Sequence, residues 1–471
     1  MRIVMKFGGT AINSADKVIH VANLIKSQKE GNNELIVVIS AMRGMTDEIL
    51  AMSEDIKKGD KVSITSFLKN TRENHLGIID LAVKDMKLKN EAKYAITTLL
   101  EELQEILGGI VLLAEITPKS LDYLMSFGER LSTPIVSFVL RDLGLAAEHL
   151  TGKEAGILTD SNFGEARPLM DTTKLRLTHK IEPLLKANVI PVITGFIGAD
   201  QHGNTTTIGR GGSDYAATII SAGVNADEVW LWSDVDGLMT ADPKIVRDAT
   251  VIKEVSFAEA MEMALFGAKY MHPRALEPVI DTKIPVRIRN TFNLRHQGTL
   301  ISQNLPKESR KIVKSITAIR HTALIDVGGG GGMVGAPGMA AKIFDVLAKN
   351  KVNIMMISQS PSESSISMVV RKNDLDKAIT TLDLNLLGKV VKQVSVNDDV
   401  AVVAVVGSGM RGIKGVAARV FNAVAKRNVN VIMIAQGSSE LNLAFVVKDS
   451  DYEQAVGALH DEFELAKIGL N

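Results

Sequence analysis

The sequence predicts an α/β domain with a largely parallel sheet, followed by a tandem pair of small α+β modules. Three observations carry that prediction. Over residues 1–303 short β-branched runs alternate with long amphipathic stretches, the pattern of strands joined by crossover helices. At Asn304–Lys311 (NLPKESRK) the chain turns polar around a proline, as a linker does. Beyond it a block recurs at a constant offset of 77 residues: GAPGMAAKIFDVLAKNKVNIMMIS from Gly335 and GIKGVAARVFNAVAKRNVNVIMIA from Gly412. Two copies are too few, and the period too long, for a solenoid.

In chain order, Ile3–Phe7 reads as a buried first strand, Ala15–Lys29 as a helix and Leu35–Ser40 (LIVVIS) as a second strand. Residues 51–115 are helical throughout and predict an excursion over the domain rather than part of its sheet. Val189–Thr194 and Glu228–Trp232 are further strands, with helices at Tyr215–Ala222 and Phe257–Leu265. In the repeat, each copy reads strand, glycine turn, helix, strand and strand; in the first these are Ala323–Val327, the glycines Gly328–Gly338, Met339–Lys349 and Val352–Ile357.

Composition narrows the function classes. Lys+Arg and Asp+Glu are equal at 54 each, so no global charge draws the chain to nucleic acid or to an anionic membrane. Aromatic residues, at 4%, are too sparse for a base-stacking surface. With no cysteine, thiol nucleophiles and zinc–thiolate sites are excluded, and the nine histidines show no metal-ligand spacing. No apolar run approaches the roughly 20 residues that span a bilayer, and the opening MRIVMKFGGT is too short for a signal peptide; the cytoplasm is the expected location.

The chemistry-bearing stretches lie at strand ends and helix starts. Lys6-Phe7-Gly8-Gly9-Thr10 ends the first strand, where glycine amides and a lysine charge suit phosphate; a tight turn alone would use the same glycines, and both readings stand. Thr207–Ala216 (TIGRGGSDYA) runs into a helix that Ser213 or Asp214 could cap, yet Arg210 beside two glycines suits a carboxylate or phosphate. Trp232–Pro243 (WSDVDGLMTADP) sets Ser233, Asp234 and Asp236 at a strand's carboxyl end, the ligand edge of open α/β sheets, although a solvated Asp/Gly turn reads the same way. Phe266–Arg274 (FGAKYMHPR) places Lys269 after a helix, where lysine commonly just complements the dipole. Ser40–Thr46 (SAMRGMT) and Ser126–Ser132 (SFGERLS, with Glu129) complete the set. These stretches offer cations, amides and hydroxyls, with no nucleophile–base pair. A carboxylate acceptor, ionised at neutral pH, needs no general base; transferring a phosphoryl group to it needs charge neutralisation and in-line positioning.

Those six stretches, taken in chain order from KFGGT through SAMRGMT, SFGERLS, TIGRGGSDYA and WSDVDGLMTADP to FGAKYMHPR, resemble the aspartokinases of the amino-acid kinase superfamily, and the resemblance spans nearly the whole chain. It implies a three-layer α/β/α kinase domain over residues 1–303 and two ferredoxin-like βαββαβ ACT modules at 312–395 and 396–471. It implies transfer from MgATP to L-aspartate, giving 4-phospho-L-aspartate on the way to lysine, threonine and methionine. By the same resemblance Lys6, Gly8 and Gly9 hold the ATP phosphates, and Ser233, Asp234, Asp242, Lys244 and Lys269 contact the nucleotide. Thr46, Glu129, Arg210 and Ser213 bind aspartate, Glu129 meeting the ammonium and Arg210 a carboxylate, while Asp214 orients Lys6 or organises the catalytic charges; Lys6, Arg210 and Asp214 form the catalytic set. Magnesium travels on the phosphates, with no protein metal site. Met239 departs from relatives that carry tyrosine near the nucleotide.

The paired modules imply feedback by an amino acid. SQSPSESSIS (Ser358–Ser367) and AQGSSE (Ala435–Glu440) look more like threonine-sensitive than lysine-sensitive members. Effector contacts are expected at Gly335, Ala336, Asn353, Ile354, Gln359, Asn430 and Gln436, and a homodimer or dimer of dimers through the ACT modules. The sequence ends at Asn471, so a monofunctional kinase is expected, without the homoserine dehydrogenase fused to some relatives. Alternatives are a related kinase for another small carboxylate and an inactive amino-acid sensor. A dehydrogenase, suggested by G-x-G-x-x-G within Gly328–Gly338, is opposed by Ser358-Gln359-Ser360, which offers no ribose carboxylate, and by the same loop in the second copy, Gly407–Gly415.

Overall fold

The computed structural model describes residues 1–57, 62–267, 271–306, 311–328, 338–359, 365–388 and 391–470. By contacts the chain divides into two units. The first comprises Met1–Gly237, Lys253–Phe257 and Tyr270–Asn304; the second comprises Leu238–Ile252, Ala258–Lys269 and Leu305–Asn471.

The first unit is built on an eight-stranded sheet in the order β3-β4-β2-β1-β7-β9-β10-β8. Its strands are β1 (Arg2–Phe7), β2 (Glu34–Ile39), β3 (Ala147–Leu150), β4 (Ile190–Thr194), β7 (Glu228–Ser233), β8 (Glu254–Ser256), β9 (Val286–Asn290) and β10 (Thr299–Ser302), while β5 (Ile197–Ala199) and β6 (Thr205–Thr207) form a separate hairpin. All pairs are parallel except β9 with β10. The four strands expected from sequence are the contiguous centre β4-β2-β1-β7. Their near-continuous apolar runs follow from burial on both faces; Ile3, Val4, Met5, Val37 and Val38 are all buried.

The helices are α1 (Ala15–Glu30), α2 (Met45–Lys57), α3 (Val62–Ala82), α4 (Met86–Leu113), α5 (Pro118–Met125), α6 (Phe127–Asp142), α7 (Gly152–Ala155), α8 (Met170–Lys186), α9 (Gly212–Val224), α10 (Phe257–Leu265) and α11 (Glu277–Thr282). The expected excursion is α2–α4, whose inward side chains Ile49, Ile79, Ile96, Leu103 and Leu107 join the core of β1 and β2. Asp85 caps α4 by accepting from the Leu88 amide, and Thr117 caps α5 ahead of Pro118.

The second unit carries one antiparallel six-stranded sheet, β12-β13-β11-β14-β16-β15. Its elements are β11 (Ser315–Gly328), α12 (Met339–Lys349), β12 (Ile354–Gln359), β13 (Ser365–Arg371), α13 (Leu375–Asn385), β14 (Gln393–Val406), α14 (Val416–Lys426), β15 (Met433–Ala435), β16 (Asn442–Lys448) and α15 (Tyr452–Glu462). Two ferredoxin-like halves share β11 and β14. Residues 322–328 and 393–397 of these strands complete the first half with β12 and β13; residues 315–319 and 400–406 complete the second with β15 and β16.

The fourth strand of the second half therefore precedes the first half in sequence, and one module is inserted into the other. The expected division at 395/396 falls inside β14, and residues 238–252 and 258–269, expected in the kinase domain, pack with this unit. Pleat alternation separates the cores. Ala401, Val403 and Val405 face α14 and α15, whereas Val400, Val402 and Ala404 join Met356, Val369 and Met433 in a cluster common to both halves.

Candidate active site

The carboxyl end of β1 collects the expected motifs, and missing side chains make the assembly possible. After Phe7 the chain makes a single 3₁₀ turn, Gly9–Ala11, and the Gly8 amide donates to the Trp232 carbonyl (3.2 Å). A Cβ on Gly9 would overlap the Ala41 carbonyl oxygen and lie 2.9 Å from the Arg43 nitrogen; a Cβ on Gly128 would lie 2.7 Å from that of Ala41. KFGGT, SAMRGMT and SFGERLS thus meet backbone to backbone. The Ser132 hydroxyl ties the third to the second by donating to the Ser40 carbonyl at 2.7 Å.

The fourth motif arrives on α9. Its N-cap is Gly211, left-handed at φ 68°, and no side chain caps the helix, so neither Ser213 nor Asp214 serves as the cap that the sequence allowed. Both turn to other partners. The Lys6 Nζ lies 2.6 Å from Asp214 Oδ1, the two side chains only 12% and 15% exposed. The Ser213 hydroxyl points at Glu129 Oε1, at a long 3.4 Å.

Glu129 is the unusual group. It sits in the first turn of α6, is 3% exposed, and its Oε2 has no hydrogen-bond partner among the described residues. Burial pushes its carboxyl up to about 8, against the pull of the Ala41 and Glu129 amides, the Ser213 hydroxyl and the Lys6 charge. A buried carboxylate with one unsatisfied oxygen is what a small ammonium-bearing ligand would complete. Thr46 is half-buried in the first turn of α2, after the left-handed Gly44. Arg210 is exposed on the turn before α9.

Ser233 ends β7 and its Oγ accepts from the Val235 amide (3.2 Å), with Asp234 exposed beside it. Asp236 has a structural role: its Oδ1 accepts from the side-chain Nδ2 groups of Asn290 (2.9 Å) and Asn293 (3.0 Å). Asp242 and Lys244 lie in the second unit, where Asp242 Oδ1 accepts from the Lys244 amide at 2.9 Å. Lys269, Gly335 and Ala336 fall outside the described residues. Asn353, Gln359, Asn430 and Gln436 are exposed, and Ile354 is half-buried.

Sequence reasoning missed Asp122. This carboxylate, 2% exposed, accepts from the Thr207 amide (2.7 Å) and hydroxyl (2.8 Å) and from the Gly164 amide (3.0 Å), bracing the strand that leads to Arg210. Burial raises its pKa, and those three donors oppose the rise. An aspartate on the apolar side of α5 was the available signal. His272 and Arg274, at the end of FGAKYMHPR, pack against the α9 turn and the Tyr215 ring: the His272 side chain lies on Gly211, and the Arg274 guanidinium 5.3 Å over Tyr215. Among the described residues no three His, Asp or Glu side chains are grouped to hold a metal ion.

Comparison with known proteins places this geometry. Residues 1–290 match the amino acid kinase family model, and residues 329–386 and 403–463 match an ACT domain model. Aspartokinase 1, chloroplastic, of Arabidopsis thaliana is 32% identical over 467 residues, covering 98% of this chain and 80% of that protein. The chain belongs to the aspartokinases. As an aspartokinase it is an ATP-dependent kinase acting on a carboxyl group, with an allosteric ACT region. A bifunctional aspartokinase/homoserine dehydrogenase of the same plant is 33% identical, and the chain spans 51% of its length. Among solved structures, E. coli aspartokinase III in complex with aspartate and ADP (R-state) superposes with a TM-score of 0.84 at 29% identity, covering 98% of this chain and 99% of that one. The same enzyme with lysine and aspartate (T-state) gives 0.79 over the same shares. Among the described residues no helix is long and apolar enough to cross a membrane.

Proposed function

We propose that this aspartokinase transfers the γ-phosphoryl group of ATP to the side-chain carboxylate of L-aspartate, giving 4-phospho-L-aspartate and ADP. The observation that carries the reading is the arrangement at the β1 edge: a Lys6–Asp214 pair beside a buried, half-satisfied Glu129. In this account Glu129 takes the substrate ammonium, and Thr46, Ser213 and Arg210 hold its carboxylates. Lys6, oriented by Asp214, neutralises charge on the transferred group together with the Gly9 amide, while Gly8, its own amide given to the Trp232 carbonyl, lets the phosphates approach the backbone closely. Ser233, Asp234, Asp242, Lys244 and Lys269 are assigned to the nucleotide. The attacking carboxylate oxygen is already ionised, so no proton needs removing before it displaces ADP from phosphorus. Magnesium fits as an ion carried on phosphate oxygens and water, where it supplies further charge neutralisation.

The reaction opens the route to lysine, threonine and methionine, in the cytoplasm, and a product amino acid inhibits it through the ACT modules. Threonine is the effector we favour, on the strength of SQSPSESSIS and AQGSSE. Self-association through the ACT sheet is part of the account, because its edge strands β12 and β15 carry exposed Ile357 and Ile434, with Ile432 exposed just before β15. A coupled ADP-release assay with L-aspartate, L-glutamate or no acceptor tests the reaction; ADP release that ignores the acceptor refutes it. Adding threonine and lysine separately tests the effector, and inhibition by lysine alone refutes threonine.

A further inference from the structure

The first turn of α6 carries Glu129, and its direction is set from two sides. Gly128 and Ser132, one helical turn apart on one face, lie against Ala41 and donate to the Ser40 carbonyl respectively. At about 100° per residue, Arg130 stands on the opposite face from Gly128, and Glu129 projects between the two. Beyond nearby backbone amides, the Glu129 side chain has little to fix it. One oxygen meets the Ser213 hydroxyl only at 3.4 Å, and the other has no hydrogen-bond partner among the described residues. Its aim is therefore that of the turn.

Arg130 is anchored in a way that the chemistry above does not use. Its Nη2 lies 2.6 Å from Glu102 Oε2 on α4, the two side chains 16% and 32% exposed. The other oxygen of Glu102 accepts from the Tyr123 hydroxyl on α5 at 2.5 Å. The guanidinium carbon lies 4.3 Å over the ring of the fully buried Phe127 and 5.4 Å over that of Tyr123. Burial works to raise the Glu102 carboxyl, yet the hydrogen bonds from Arg130 and Tyr123 hold it below the ordinary glutamate value, so the pair is ionised at neutral pH. The same short helix reaches the other end of the site. Asp122, next to Tyr123, holds the Thr207 amide and hydroxyl on the strand that leads to Arg210. Consecutive side chains of α5 thus brace the Arg210 turn and the carboxylate that holds Arg130, all within the first unit.

We propose that Arg130, held by Glu102 and Tyr123, is a positioning residue for Glu129: it fixes the turn that aims this carboxylate at the substrate ammonium. This rests on the assignment of Glu129 and Arg210 to aspartate given under the proposed function. Succinate, which is aspartate without its ammonium, separates the two ends of the site. Replacing an ion pair by apolar residues of similar size is commonly neutral for stability, so Glu102→Met with Arg130→Met should fold while freeing the turn. In that double variant the calorimetric Kd for L-aspartate should rise about tenfold and its KM with it, while the Kd for succinate and the KM for ATP stay within about twofold of the parent. Arg130→Lys, which keeps a cation beside Glu102, should bring the aspartate Kd back to within about threefold. Tyr123→Phe, which removes one hydroxyl, should raise the aspartate Kd about threefold and carries the test if the double variant does not fold. Asp122→Ala, acting at the carboxylate end, should weaken both ligands alike. Unchanged aspartate affinity in a folded double variant overturns the proposal, as does an equal loss for succinate there, the mark of a general loosening. A parent protein that binds succinate as tightly as aspartate overturns it too, since Glu129 would then meet no ammonium. If the parent binds aspartate but releases no ADP in response, the kinase reading fails instead, and the comparison of aspartate with succinate still decides the role of Arg130.

Discussion

If Glu129 receives the substrate ammonium, aspartate binding must expel a proton. With its carboxyl raised to about 8, Glu129 is about 90% protonated at pH 7 in the free protein. Pairing with an ammonium requires the ionised form, so apparent affinity scales with the ionised fraction. Between pH 6.5 and 8.5 that fraction grows about 25-fold, and the KM for aspartate should fall by the same factor, levelling above pH 8. Calorimetry at pH 7 in buffers of different ionisation enthalpy should register close to one proton released per aspartate bound. Glu129→Gln should abolish the pH dependence and raise KM roughly 30- to 100-fold, the loss expected of a buried charge pair. A pH-independent KM, or a slope that survives in Glu129→Gln, refutes the reasoning. Stability follows the same group. Because the folded value lies above the open-chain value of 4.5, this contribution is full below 4.5 and is lost as pH rises through about 8. Full ionisation without ligand corresponds to about 5 kcal/mol, so saturating aspartate should protect most strongly on the alkaline side.

Three further perturbations test the rest of the site. Lys6→Ala should lower kcat about 100- to 1000-fold in the coupled assay in a protein that still folds, at a stability cost of about 1–3 kcal/mol for leaving the largely buried Asp214 without its partner; near-normal turnover removes Lys6 from the mechanism. Gly9→Ala puts a methyl against the 41–43 backbone and should cost about 1–3 kcal/mol in denaturant unfolding together with most activity. Asp122→Ala strands the buried Thr207 amide and hydroxyl and releases the amide of the exposed Gly164, a loss of about 2–3 kcal/mol, and should raise the KM for aspartate more than that for ATP because Thr207 leads into the Arg210 turn.

The central sheet was legible because β1, β2, β4 and β7 are buried on both faces and read as unbroken β-branched runs. Helix α12 was legible to the residue, bounded by glycine and by Asn350. The interleaving of the two ACT halves was not. A 14-residue strand reads as one element, and nothing local in β11 says that its ends serve different modules. The pairing is a register property, set across the 64 residues of chain between Gly328 and Gln393. At the site, the glycines and cations of each motif were visible singly, but their partners were not. Ser213 and Asp214 have the chemistry of helix caps, and only the proximity of Lys6 and Glu129 separates that role from the one they take. The burial that perturbs Glu129 is likewise a tertiary fact, invisible in SFGERLS.

The most direct test of the central claim is to trap the product. With ATP, L-aspartate and hydroxylamine, the account predicts aspartate β-hydroxamate formed one-for-one with ADP, and no hydroxamate with L-glutamate. ADP release without the β-hydroxamate, or hydroxamate at the α-carboxyl, would contradict it.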